Sequence, residues 1–303
     1  GIIIDPRTGA ILAMSGKPGF DPNDYSEVED ISFFRNSLVS DIFEIGSVVK
    51  PLTVAASIDA GKITSQSTYV DKGYAIFNGE RIENYDGKAR GLVDMQEVLN
   101  QSLNTGAIFA MQELGKSGFL EYVKKYGLDE KTGIDLPDEV QGQSSNLSSL
   151  RDIEFATASF GHGIAVSPLG FTSAVSSLAN GGVMMKPHVV DKIVIDGNKD
   201  SITTPAERRR VLKKETSEDI TKMLVRVVDE ALLGGTVKMD RYSVAAKTGT
   251  AQLPKEGELG YYDDQYLHSF FGYAPAFDSK FLIFLFLKKP QGVRYASHTL
   301  TSP

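Results

Sequence analysis

Strand signals stand at both ends of this 303-residue chain, and helical periodicity fills the stretch between them. Near the start, Ile2 to Ile4, a turn at Asp5-Pro6-Arg7-Thr8-Gly9, and Ala10 to Met14 read as a hairpin. Near the end, His268 to Ala274 and Lys280 to Lys288 flank an Ala276-Phe277-Asp278-Ser279 turn, and Arg241 to Ala251 is a third candidate strand. Strands at both chain ends with helices between them suggest one sheet that both ends join. The expected fold is therefore mixed α/β, a mostly antiparallel sheet covered by helices.

The middle supplies the helices. Ile220, Met223, Leu224, Val227, Val228, Ala231 and Leu232 keep the helical period over about Thr216 to Leu233, and Gly234-Gly235 ends it. A second helix starts near Ser47 and covers Thr53 to Ala60. A third pair, Asp94 to Gln101 and Thr105 to Leu114, is interrupted at Ser102-Leu103-Asn104, and a fourth runs from Phe171 to Ala179. Two polar stretches, Gln141 to Ser149 and Pro254 to Asp264, read as mobile.

Composition closes off several functions. The chain has no cysteine, which excludes thiol catalysis, disulfides and thiolate metal sites. A net charge of -7 argues against nucleic acid as a partner. The four histidines (His162, His188, His268, His298) show no metal-ligand spacing and no Gly-rich phosphate loop is present, so no metal and no cofactor is expected. His162 borders a cleft at best and reads as a loop histidine without a catalytic role. The longest apolar run, Phe281 to Leu287, reads as a buried strand, because a membrane span needs about 20 residues. Gly1-Ile2-Ile3-Ile4 is already a strand in progress, so the sequence is taken as part of a longer protein.

Three short motifs carry chemistry. Ser47 and Lys50 stand three residues apart at a helix start, where their side chains share a face. Pro51 confines that start to a first turn or an irregular one. Backbone N–H groups there favour an oxyanion on Ser47. Lys50 acts as a base only if burial or a second cation lowers its pKa, and Lys247 is a candidate for that cation. Ser102 and Asn104 break a helix pattern and so face a cleft, where a hydroxyl relays a proton and an amide holds a peptide group. Lys247-Thr248-Gly249-Thr250 follows a strand-like alternation; its cation and hydroxyls suit a carboxylate, and Gly249 admits substrate against the backbone. Taken singly each has a plainer reading. Ser-x-x-Lys arises by chance about once or twice in a chain this long. Ser102 and Asn104 are ordinary helix caps, and Lys131-Thr132-Gly133 and Ser144-Ser145-Asn146 repeat two of the patterns. The three in order, each in a suitable context, change the odds.

Over nearly its whole length the sequence resembles the transpeptidase domain of class B penicillin-binding proteins, whose motif set these three match. The resemblance also rests on Asp5-Pro6-Arg7-Thr8-Gly9, Phe20-Asp21-Pro22-Asn23, Arg35-Asn36 and Phe43-Glu44-Ile45-Gly46-Ser47. Further matches are Thr132-Gly133-Ile134-Asp135-Leu136-Pro137, Phe160-Gly161-His162-Gly163, Ala179-Asn180-Gly181-Gly182 and Gly272-Tyr273-Ala274-Pro275. Ile45 stands where the family has proline and Ala246 where it has glycine. The resemblance implies one domain over 1–303, with a sheet subdomain from 1–20 and about 185–303 and an all-helical subdomain over about 50–180. It also implies an N-terminal anchor and pedestal, and a C-terminal helix beyond Thr301-Ser302-Pro303, outside this sequence.

The chemistry implied is D,D-transpeptidation of peptidoglycan stem peptides. Ser47 is the nucleophile, Lys50 activates it, Ser102 relays protons and Asn104 holds the substrate amide. Lys247, Thr248 and Thr250 bind the terminal carboxylate, beside Gly249, and the Ser47 and Thr250 N–H groups form the oxyanion hole. β-Lactam antibiotics acylate the same serine. The expected partners of the whole protein are a membrane glycosyltransferase and division proteins, on the extracytoplasmic face of the bacterial membrane, in the septal branch rather than the elongation branch. A D,D-carboxypeptidase and a non-catalytic β-lactam sensor share the motifs. A class A β-lactamase does not fit, since no Glu-x-x-Leu-Asn string lies between Ser102 and Lys247.

Overall fold

The structure, a computed structural model, describes residues 1–195, 199–255, 257–258 and 260–301. Its strands are β1 (Ile2–Ile4), β2 (Ile11–Met14), β3 (Thr68–Asp71), β4 (Tyr74–Phe77), β5 (Glu80–Glu83), β6 (Gly91–Asp94), β7 (Val183–Met185), β8 (Lys192–Ile195), β9 (Lys199–Ile202), β10 (Glu207–Arg210), β11 (Ala245–Pro254), β12 (Tyr261–Ala274) and β13 (Phe281–Lys288). The helices are α1 (Ser37–Ser40), α2 (Lys50–Asp59), α3 (Met95–Asn100), α4 (Asn104–Leu114), α5 (Lys116–Lys125), α6 (Asp152–Ala158), α7 (Pro168–Ala179) and α8 (Lys214–Arg226).

The chain ends meet in a five-stranded antiparallel sheet of order β11-β12-β13-β1-β2. Ile2 lies opposite Phe284 and Ile4 opposite Leu282, while Phe271 faces Phe284 and Tyr273 faces Leu282 across the next pair. Side chains alternate along strands, so these six residues share one face, and all are buried. Helix α7 covers that face: the Phe171 ring packs edge-on against Phe284 at 5.0 Å and against Phe271 at 6.0 Å. Helix α8 adds Thr221, whose hydroxyl is 2.9 Å from that of buried Tyr273. Burying each such side chain contributes about 1.5–3 kcal/mol. One apolar cluster continues from Ile4 and Phe284 through Leu52 and Val98 to Phe119, so sheet and helices share a core.

Four expectations need correction. Residues 50–180 are not all-helical: β3 pairs with β6 and β4 with β5. The β4–β5 turn is Asn78-Gly79 with φ of 52° and 87°, the double left-handed geometry that a two-residue hairpin requires. The helix expected to reach Leu233 leaves α geometry after Arg226. It widens into a π turn over Val227–Ala231 and ends in a kink where Leu233 and Gly234 take φ of 48° and 66°. The third strand begins at Ala245 rather than Arg241 and runs on to Pro254.

Nor is Gln141–Ser149 a loose tract. Gln143 pairs with Ala165, the Ser144 hydroxyl donates to Asp129 at 2.9 Å, and Leu147 is fully buried. Of the other polar stretch, β11 takes in Pro254 and β12 the residues from Tyr261; Glu256 and Leu259 lie outside the described residues, as do Ser302 and Pro303. Among the described residues no helix is long and apolar enough to cross a membrane.

Candidate active site

Ser47 lies in a 3-10 turn, Gly46–Val49, that leads directly into α2. Residues three apart eclipse one another in a 3-10 turn, so Ser47 and Lys50 lie along one line. Pro51 is the second residue of α2, where its missing N–H leaves no bond unmade. The turn lies against the edge strand β11 with almost nothing between the backbones. A Cβ on Gly46 would stand 2.8 Å from that of Ala251, and one on Gly249 would stand 3.0 Å from the Val48 nitrogen. The Ser269 hydroxyl donates to the Ile45 carbonyl at 3.0 Å and fixes the same approach. Ser47 and Thr250 thus border one cleft of about 1210 Å³.

Gly161 holds the turn from its other side. At φ of 87° it takes a conformation that L side chains rarely adopt, and a Cβ would stand 2.3 Å from the Gly46 carbonyl oxygen. Gly161→Ala is expected to lower stability by about 2–4 kcal/mol, from left-handed strain and backbone overlap combined. Denaturant unfolding checks this; a loss under 1 kcal/mol contradicts the packing described.

The break between α3 and α4 presents the second pair. Gln101 closes α3, Ser102 takes φ of 54°, and Leu103, fully buried, turns the chain into α4. Such a φ on a serine costs of order 1–3 kcal/mol and persists only where its surroundings compel it. Here the Ser102 carbonyl accepts from Lys50 Nζ at 2.5 Å, and its hydroxyl lies 3.2 Å from Lys50 Nζ and 3.0 Å from Lys247 Nζ. Asn104 is not the cap of α4, a place taken by Leu103. It is the first helical residue, and its Nδ2 donates to the Glu83 carbonyl at 2.8 Å.

Alternation along β11 divides the third motif. Lys247, opposite Phe271, leaves on the helix-covered face, while Thr248 and Thr250 leave on the other. All three still border the cleft, because β11 is the sheet's edge. Lys247 Nζ also donates to the Thr248 carbonyl at 2.9 Å, and the Thr250 hydroxyl accepts from the Ala296 N–H at 3.1 Å.

Two buried amines sharing one hydroxyl set the electrostatics. Burial, and then the charge of Lys247, hold the Lys50 pKa well below the usual lysine range; burial brings Lys247 to about 7. Each charge disfavours the other across the shared hydroxyl, so the pair holds one proton far more readily than two. A neutral amine beside a retained cation is what a serine nucleophile and an anionic substrate group need. His162 also borders the cleft, stacked on Tyr261 with ring centroids 5.2 Å apart, and burial together with Lys50 lowers it to about 4, leaving it uncharged at neutral pH.

The look-alike motifs are occupied elsewhere. The Thr132 and Gly133 N–H groups and the Thr132 hydroxyl all donate to Glu139, and Asn146 donates to Glu154. Among the described residues no group of acidic, histidine or cysteine side chains is arranged to hold a metal. Missed in the sequence were the π turn at 227–231, which lines the cleft beside Leu232 and Leu233, and the rim at Tyr85 and Tyr295, whose rings meet edge-on at 6.2 Å. Neither has a local signal: the turn keeps a helical apolar period, and the two tyrosines are 210 residues apart in the numbering.

Residues 1–303 match the profile of the penicillin binding protein transpeptidase domain. Stage V sporulation protein D of Bacillus subtilis is 33% identical, over 100% of this chain and 47% of that protein. Peptidoglycan D,D-transpeptidase FtsI of Buchnera aphidicola is 28% identical, over 100% of this chain and 50% of that protein. Penicillin binding protein 3 of Mycobacterium tuberculosis, solved with aztreonam, superposes with a TM-score of 0.87 at 28% identity, over 95% of this chain and 66% of that one. The chain spans about half the length of the curated relatives it matches.

Proposed function

The chain belongs to the penicillin-binding protein transpeptidase family, and on that premise we propose that it joins peptidoglycan stem peptides through an ester on Ser47. The observation that carries the reading is the Ser102 hydroxyl set between Lys50 and Lys247, at a cleft that Ser47 also lines. Neutral Lys50 takes the Ser47 proton as Oγ attacks the carbonyl of the penultimate D-alanine of a D-Ala-D-Ala stem. The oxyanion meets the Ser47 and Thr250 N–H groups, an arrangement in which one donor contributes about 2.7–4 kcal/mol. Ser102 passes the proton to the departing D-alanine nitrogen, and the C–N bond breaks. Lys247, Thr248 and Thr250, with bare Gly249 between them, hold the terminal carboxylate, and Asn104 holds the stem's amide. An amine of a second stem then attacks the ester, and its proton returns along the same path to Ser47.

β-Lactams take the place of the D-Ala-D-Ala donor, a reading supported by the aztreonam complex of the related penicillin binding protein 3. We place the whole protein at the extracytoplasmic face, in division rather than elongation, with a glycosyltransferase and division partners; the relative named FtsI supports the transpeptidase part of this reading.

Supplying a peptide ending in D-Ala-D-Ala, with and without an acceptor amine, tests the reaction. Release of D-alanine, with an amide-linked product when the amine is present, is expected. Hydrolysis product alone, even at high amine, contradicts transpeptidation and marks a carboxypeptidase.

A further inference from the structure

We propose that Asp71 is a positioning residue for acyl transfer, holding the Ser102–Asn104 turn where its hydroxyl and carbonyl meet the two lysines. The inference rests on the acyl-transfer reading above. Asp71 touches no reacting atom; it ends β3, is 1% exposed, and does not line the cleft.

Its carboxylate collects donors from four places in the chain. The Gly73 N–H lies at 2.8 Å, Asn84 Nδ2 at 3.1 Å from each oxygen, the Arg90 N–H at 3.0 Å and the Thr105 hydroxyl at 2.8 Å. Each partner leads to the turn. Thr105 directly follows Asn104, and its N–H donates to Asn84 Oδ1 at 3.2 Å. Arg90 reaches the other flank, where its Nε donates to Gln101 Oε1 at 2.8 Å, and its guanidinium is braced on Asp86. Asn104 itself donates to the carbonyl of Glu83, the neighbour of Asn84. The turn is therefore gripped at residues 101, 104 and 105 by a segment assembled around one buried carboxylate.

A buried carboxylate is costly unless paired or fully hydrogen-bonded, and well-packed apolar side chains could fill the same space without that cost. What the charge adds is direction, since its convergent donors admit one relative placement of β3, the 83–90 segment and the start of α4. Ser102, in left-handed backbone between the two gripped flanks, needs such a constraint. Its distances to Lys50 and Lys247 follow from it.

The test is benzylpenicillin acylation of Asp71→Asn, which sets an NH2 donor among groups that all donate to it. Wild-type protein run alongside checks the underlying reading: no acylation there is a failure of that reading, not of this one. With wild type reacting, the limiting acylation rate constant of Asp71→Asn is expected to fall roughly tenfold or more, while the end-point adduct stays one to one. Asp59→Asn serves as a control. It strips a buried carboxylate bonded to Tyr122, Lys213 and Thr216, away from the turn, and is expected to lower the melting temperature but keep the rate constant. A smaller change in Asp71→Asn, a loss confined to the adduct fraction, or an equal loss in Asp59→Asn overturns the proposal. If Asp71→Asn does not fold, Thr105→Val cuts the same link with a side chain of matching shape, and the same outcomes decide.

Discussion

Ser47→Ala is expected to form no covalent adduct with benzylpenicillin while folding as the wild type does. The substitution removes one oxygen from a half-buried side chain and leaves the 3-10 turn, Lys50 and the β11 contact in place. Stability should therefore shift by no more than about 0.5 kcal/mol. The cleft and its Lys247 cation remain, so reversible penicillin binding is retained, and a fluorescent penicillin should be displaced by excess unlabelled drug and lost on denaturation. An adduct on the alanine variant contradicts the assignment of the nucleophile.

Lys50→Met should have the next largest effect, a slowing of acylation on the order of 10²–10⁴-fold, the range for loss of a positioned general base. The pH dependence of the wild type gives the same account a sign. At low pH both amines tend toward the charged form, and two buried cations at one hydroxyl disfavour each other, so the pair sheds a proton below the ordinary lysine range. The second-order acylation constant is expected to rise with pH as the pair loses its first proton and Lys50 can act as base, and to fall again once the second proton goes and no cation is left to attract a carboxylate. Lys50→Met should lack the rising limb. Stability carries a related signature. From the ordinary 10.5 down to about 7, unfolding lets Lys247 take up a proton that the folded protein excludes. Stability measured against Lys247→Met should therefore fall as pH is lowered through that window. Parallel curves throughout would mean that Lys247 keeps an ordinary pKa.

The sheet was legible because its strands declare themselves locally. Phe281–Lys288 is an apolar run, and Ile2–Ile4 and Ile11–Met14 flank an obvious turn. The small strands at residues 68–94 were not, since each has four residues and a largely exposed face, as Val70 and Leu92 show. The Asn78-Gly79 turn is the local signal they carry. Periodicity misled at the end of α8, where Val227, Val228, Ala231 and Leu232 keep a helical spacing through a turn that has already widened.

In the candidate site, the motif residues could be named from spacing, but their mutual geometry could not. That Lys247 leaves β11 on the face opposite Thr248 and Thr250 depends on sheet register. That Asn104 is tied to Glu83 depends on a hairpin 21 residues upstream. Asp71 had no signal at all, because its partners Asn84 and Thr105 are 13 and 34 residues away and nothing local marks the residue as buried.

Intact-mass spectrometry of the wild-type protein after incubation with benzylpenicillin, followed by peptide mapping of the adduct, decides whether Ser47 carries an acyl group. A single addition of the drug's mass, located on the peptide that carries Ser47, is the result expected of a serine acyl-enzyme at this cleft. An unmodified mass with the drug intact, or an adduct mapped to any other residue, would contradict it.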